Sequence, residues 1–270
     1  MKKFFVLLLF PLFLFSLERT AWLGNPYQFL FKSEYDYDYY KKFSHAIDPL
    51  KETRHDNTLK AGLNFTLPKD TIDAEAEIEF AKTKEQNFSF RSLVLQTRYQ
   101  FLNDINGDYF ISLNAGINFR YTTEKSLKDI SCPYHNNLDI EVFSCLGKEI
   151  SSGKSWLYRV YTVGYYGIEN KSNMWGKIRI SNGFSYKEIH SFYCDLIFEQ
   201  TFGKHHFVNI DHFFGYGRTH STYLDLDLAY EIKLDIWGKL KFDYIYRVIS
   251  KCRPERVSFF GFLYTWNFSF

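Results

Sequence analysis

Four acids, Asp73, Glu75, Glu77 and Glu79, stand at alternate positions among Ile72, Ala74, Ala76, Ile78 and Phe80. On a helix they would scatter around the circumference; on a strand they form one ladder of carboxylates with the apolar residues on the other face. The same spacing gives Glu34, Asp36 and Asp38, then Asp225 and Asp227, with Asp195, Glu199, Asp211 and Glu231 as further members. Bases recur at Arg98, Arg120, Arg159, Lys177 and Arg179, and again at Lys239, Lys241 and Arg247. Fixed charges on a polar wall suit the passage of ions and solutes, and a basic arc facing acidic ones would set up a transverse field that orients dipolar solutes. The same residues can instead pair across strands and fill a narrow interior, Asp225 and Asp227 lying beside Lys239 and Lys241.

Covalent and metal chemistry find less to work with. Ser181-Asn182-Gly183 offers a hydroxyl, but Arg179, two residues earlier on the same strand face, cannot act as its base, and His190 lies beyond a turn. No GxSxG, Walker or HExxH pattern occurs. No CxxC occurs either, so His205, His206 and His212 are expected to decorate a turn and a strand rather than hold zinc. No cofactor or metal is expected. The 33 basic residues nearly balance 31 acidic ones, which argues against a nucleic-acid partner.

The elements that position these charges are strands. The 270 residues include 29 Phe, 21 Tyr and 5 Trp, a composition that favours pleated, half-buried surfaces. Lys2 and Lys3 precede twelve apolar residues, Phe4 to Phe15, in the order of a secretory signal, placed at 1–16 and followed by one domain, 17–270. Beyond it no apolar run approaches the roughly 18 residues of a spanning helix. Instead a period of two returns twelve times, from Tyr27 through Tyr39 to Phe260 through Phe270, with one expected strand running through Val208, Ile210, Phe214 and Tyr216. Strands of this length match the 9 to 11 residues with which a tilted strand crosses a bilayer.

The last segment, with Phe262, Tyr264, Trp266, Phe268 and Phe270 in register, resembles the C-terminal strand of Gram-negative outer-membrane barrels, and the Tyr-rich start is similar to small barrels of the chlamydial group. The resemblance implies an all-β, closed antiparallel transmembrane barrel of about twelve strands, with outer-membrane lipids and the barrel-assembly machinery as partners and Phe270 as the assembly signal. Ser181-Asn182-Gly183 also resembles the His-x-Ser-Asn-Gly segment of outer-membrane phospholipase A, with Arg179 at the histidine position. A periplasmic C-terminus would place connections 41–57, 83–87, 123–155, 186–188, 217–221 and 250–255 outside, and 68–70, 103–108, 168–173, 203–205 and 234–237 inside. The alternation of Leu138, Ile140 and Val142 is then a hairpin within the long loop, and Cys132 and Cys145 are expected to form a disulfide there. The functional expectation is a passive pore for small hydrophilic solutes, with a structural or adhesin-like barrel as the alternative and a lipid hydrolase behind both.

Overall fold

A computed structural model describes residues 20–67, 71–152 and 155–269. Among these residues twelve antiparallel strands close into one barrel: β1 Gln28–Tyr40, β2 Arg54–Thr66, β3 Ile72–Lys82, β4 Ser89–Leu102, β5 Ser112–Thr122, β6 Leu138–Ser152, β7 Trp156–Glu169, β8 Met174–Tyr186, β9 His190–Thr201, β10 Thr222–Lys233, β11 Lys239–Lys251 and β12 Ser258–Ser269. Each strand pairs with its sequence neighbours, and β1 closes on β12 with Gln28 opposite Ser269 and Tyr39 opposite Ser258. The expected signal segment 1–16, the 68–70 turn and Phe270 lie outside the described residues.

The period of two builds the wall. On β3 the four acids are buried while Ala74 and Ala76 are exposed, and around the barrel Leu63, Leu95, Ile117, Ile140, Ile178 and Leu196 all face outward. Closure leaves no free sheet edge, so each strand is hydrogen-bonded to a neighbour on both sides, as an apolar surround requires. Aromatic side chains gather at both rims. At the end that carries the termini, Phe29 packs on Phe65 and Phe268 with ring centroids 4.4 and 5.4 Å apart. At the far end, Phe80 packs on Phe88 and Phe90 at 5.7 and 5.8 Å.

Two expected elements change places. The segment expected to be a loop hairpin is β6, a full barrel strand paired to β5 and β7 without a break. Its odd residues, Asp139, Glu141, Phe143 and Cys145, are buried, and Leu138, Ile140, Val142 and Leu146 face out. The segment expected to be a strand, 208–216, is instead part of a far-end connection, 202–221. There the Asn209 side chain accepts from the backbone N–H of Asp211 and His212, an Asx turn that ends extended structure, and Gly215 takes a positive φ of 67°. One strand gained and one lost keep the total at twelve. The ends of several connections nonetheless swap: 170–173 and all of 202–221 join 123–137 at the far end, while 153–155 and 187–189 lie at the terminal end.

The ladders are unequal in length. β6 and β7 share fourteen paired positions, β1 and β12 share twelve, and β11 and β12 share eight.

Candidate functional site

The barrel interior collects nearly all of the charges singled out in the sequence, and neighbouring strands pair most of them. Lys60 reaches Glu34 at 2.5 Å and Asp36 at 2.7 Å. Arg98 donates from Nε to Asp73 at 2.9 Å. Arg159 meets Glu149 at 2.6 Å, Lys239 meets Glu231 at 2.9 Å, and Arg247 grips Asp225 with two hydrogen bonds of 2.8 and 2.9 Å. Arg179 donates to Asp195 at 2.8 Å and lies 3.6 Å from Asp227. The ammonium of Lys177 sits 5.6 Å from the centre of the Tyr165 ring, and that of Lys241 sits 5.4 Å from the Tyr193 ring. Acid and base are therefore interleaved around the wall rather than divided into two arcs. Asp38 and Glu77 each keep a buried carboxylate oxygen with no hydrogen-bond partner among the described residues.

Three important charges lie outside the set singled out from the sequence, two of them off its alternation. Lys32 is buried against Glu75 at 2.6 Å; it stands among the polar positions of β1 and only its strand position marks it. Arg91 is buried against Glu79 at 3.1 Å. Glu79 pairs with Ser92 and Phe80 with Phe90, so Arg91 is the extra residue of a bulge that turns it inward against the alternation. Arg253 lies in a far-end turn and meets Glu199 at 2.6 Å.

Arg253 helps to hold a lid. The connection 123–137 opens with a single helical turn, Glu124–Leu127, capped by the Thr123 hydroxyl, and then dips into the far mouth. Tyr134 donates to Glu79 and lies beneath the Arg120 guanidinium, 4.0 Å from its ring centre. His135 stacks on Trp175 at 4.4 Å and sits 3.3 Å from Glu199 and 3.6 Å from Asp139. Arg253 donates to the Pro133 carbonyl at 3.1 Å and covers Tyr216 at 3.5 Å. The connection 202–221 locks onto the same segment: backbone N–H groups of Gly215, Tyr216 and Gly217 donate to the carbonyls of Leu127, Tyr134 and His135. A Cβ at Gly215 would strike the His135 carbonyl. Phe43, Ile130, Val208, Phe213, Tyr216 and Cys252 form the apolar body of this cover.

The terminal end is occupied differently. Thr20–Trp22 enters the lumen, with the Thr20 carbonyl accepting from Asn114 at 2.9 Å and from Arg98 at 3.4 Å, and the Ala21 carbonyl from Gln100 at 3.0 Å. The Trp22 indole donates to Asp104 at 2.8 Å and packs with Phe143, Cys145, Tyr161 and Val163. Between lid and tail lies a cavity of about 310 Å³ whose wall includes Glu77, Arg120, Lys177, Asp227 and Lys241, roofed by Tyr134 and His135.

The expected disulfide does not form. Cys132 and Cys145 are both free and buried. Cys145 lies inside β6, opposite Asn114 and Val163, while Cys132 belongs to the lid, where burial pushes its thiol up to about 12. Ser181 is buried in the interior and Asn182 lies on the outer face, accepting from the Tyr158 hydroxyl at 2.7 Å. His190 stands 2.7 Å from the Tyr230 hydroxyl at the terminal rim. On β12, Trp266 faces outward and Phe268 packs on Phe29.

This architecture is that of the outer-membrane β-barrels. No family model matches the sequence, and no curated protein matches it. Among solved structures it is similar to an outer membrane channel from Pseudomonas putida F1, with a TM-score of 0.63 and 8% identity over 94% of this chain and 100% of that one. It is also similar to the NanC porin, with a TM-score of 0.52 and 8% identity over 89% of this chain and 98% of the porin. At that identity the likeness is one of fold.

Proposed function

We propose that this protein is an outer-membrane barrel that passes small hydrophilic solutes through a charged lumen, in a conformation closed at the far mouth by its own lid. The termini lie on the periplasmic side in this reading, so the lid faces outward, outer-membrane lipids cover the aromatic-rimmed surface, and the barrel-assembly machinery recognises the last strand through Trp266, Phe268 and Phe270. The observation that carries it is the charge-lined cavity beneath Tyr134 and His135. A barrel that served only as a wall would gain nothing from keeping fixed charges of both signs around an interior space. The ion-paired wall also favours a second reading, a structural barrel with no conducting lumen. Single-channel recording in planar bilayers separates the two: the intact chain should show brief, small openings, and a Tyr134→Ala variant that loosens the lid should open more often. Silence from both, with folded protein in the bilayer, would leave the structural barrel.

A further inference from the structure

Glu77 and Arg120, of opposite sign, stand on the cavity wall with one buried atom each left without a hydrogen-bond partner among the described residues, as Asp139 and Asp227 also do. Glu77 is 4% exposed, and its Oε2 is buried with no hydrogen-bond partner among the described residues; the same holds for Nη1 of Arg120. Both residues are register partners of Val94, one on each side, so they stand at one level of the wall, two strand spacings apart. That is about 10 Å between their backbones. Val94 itself is fully buried and apolar, so it offers neither charge a hydrogen bond.

The two charges act on each other, but no hydrogen bond joins them among the described residues. Lys60, whose charge also acts on Glu77, is already shared between Glu34 and Asp36. The face of the Arg120 guanidinium lies over the Tyr134 ring, which leaves its in-plane N–H groups as the part able to meet a carboxylate. Asp139, the register partner of Arg120 on β6, turns its carboxylate towards His135. Buried ionic groups are stable only when their hydrogen-bonding capacity is met. Here the missing partners are one cationic donor for Glu77 and one anionic acceptor for Arg120.

We infer that the cavity binds a small zwitterion, a solute carrying an ammonium and a carboxylate on a short frame, with the ammonium on Glu77 and the carboxylate on Arg120. The inference deepens the pore reading by naming the class of solute, but it does not require current to flow.

The test is calorimetric titration of the folded full chain in detergent with L-alanine, and separately with acetate and with methylammonium, each of which carries one half of the charge pattern. L-alanine should bind more tightly than either half. Glu77→Gln and Arg120→Gln should each weaken it by about ten- to a hundred-fold, the loss expected for one charged hydrogen bond. Each variant is checked for heat-resistant folding first. Acetate binding as tightly as L-alanine would replace the zwitterion site with a simple anion site and overturn the inference. So would the absence of L-alanine binding to the folded wild type. Binding without channel current would sink the pore reading alone, and current without binding would sink this inference alone.

Discussion

The two ends of the barrel are closed by different chemistry. At the far end the lid is held largely by charge: Arg253 on Glu199, His135 between Glu199 and Asp139, and Tyr134 between Arg120 and Glu79. At the terminal end the tail is held through peptide carbonyls that accept from Arg98, Asn114 and Gln100, and through one indole packed among apolar side chains. A closure made of ion pairs and a histidine responds to protons near neutrality, whereas the tail's carboxylate contact, Asp104, is held below its ordinary value by hydrogen bonds that outweigh its burial and stays charged there. The far end is thus the end whose state can be regulated by the medium.

The largest effect that tests this contrast is Arg253→Gln. It leaves Glu199 buried without its guanidinium, a loss of about 3–5 kcal/mol for one partner of a buried pair. Heat-dependent gel migration should show the loss of stability, and limited proteolysis within 123–137 should show an opened lid. Protection of that loop equal to wild type would mean that the charges do not hold it.

Trp22→Phe should cost less, about 1–2 kcal/mol, because one hydrogen bond to Asp104 and part of an aromatic contact are lost while the cluster stays filled. Cleavage near residue 20 should rise and the far lid should stay closed. A variant that frees both ends together would show that they are coupled.

A pH titration gives a smaller, graded effect confined to the far end. Burial draws the His135 imidazole down, but hydrogen bonds to Asp139 and Glu199 and their negative charge outweigh it and hold the group above its ordinary value. The groups around it are Asp139 on β6, Glu199 on β9, Arg253 on its turn, the Trp175 ring on β8, and Glu169 on β7, which is engaged by Asn136. A raised folded-state value means that the charged latch is complete below the free-histidine range, about 6.5, and is lost as pH rises through the folded value. Lid proteolysis should therefore increase with pH in that window, and His135→Gln should flatten the profile. A fall in cleavage as pH rises would reverse the assignment.

The smallest effect concerns the thiols. Because Cys132 and Cys145 are free, adding reductant should leave gel mobility and lid protection unchanged, and any shift would show that a cross-link forms in the exported protein.

The sequence reveals those parts of the molecule in which one physical rule governs side-chain direction. Asp73 through Glu79 alternate without interruption, and β3 holds them all inward. Arg91 breaks the rule because a bulge inserts one residue, and its partner becomes evident only once the Glu79 and Ser92 pairing is known. Arg253 and His135 lie in turns, where no periodicity reports direction. The exchange of 138–152 for 208–216 has a similar cause. Apolar alternation marks residues with a covered face without specifying the cover, and Val208, Phe213 and Tyr216 are covered by a lid rather than by a sheet. The count of connections favours a loop hairpin for Leu138, Ile140 and Val142, although their alternation is that of an ordinary barrel strand.

The inequality of the ladders has a mechanical consequence. Closing a chain into a ring usually draws attention to the joint between first and last strands, but here that joint has twelve paired positions and the neighbouring one, β11 with β12, has eight. Hydrogen-bond links along a ladder share a lateral load, so the shortest ladder yields first and local opening begins there. Gly261 lies on that line opposite Asp243, and a side chain at 261 would have to displace the Asp243 carboxylate. If the wall is pulled sideways by a crowded or thinning membrane, it should open first between β11 and β12, leaving the joint of the two chain ends intact.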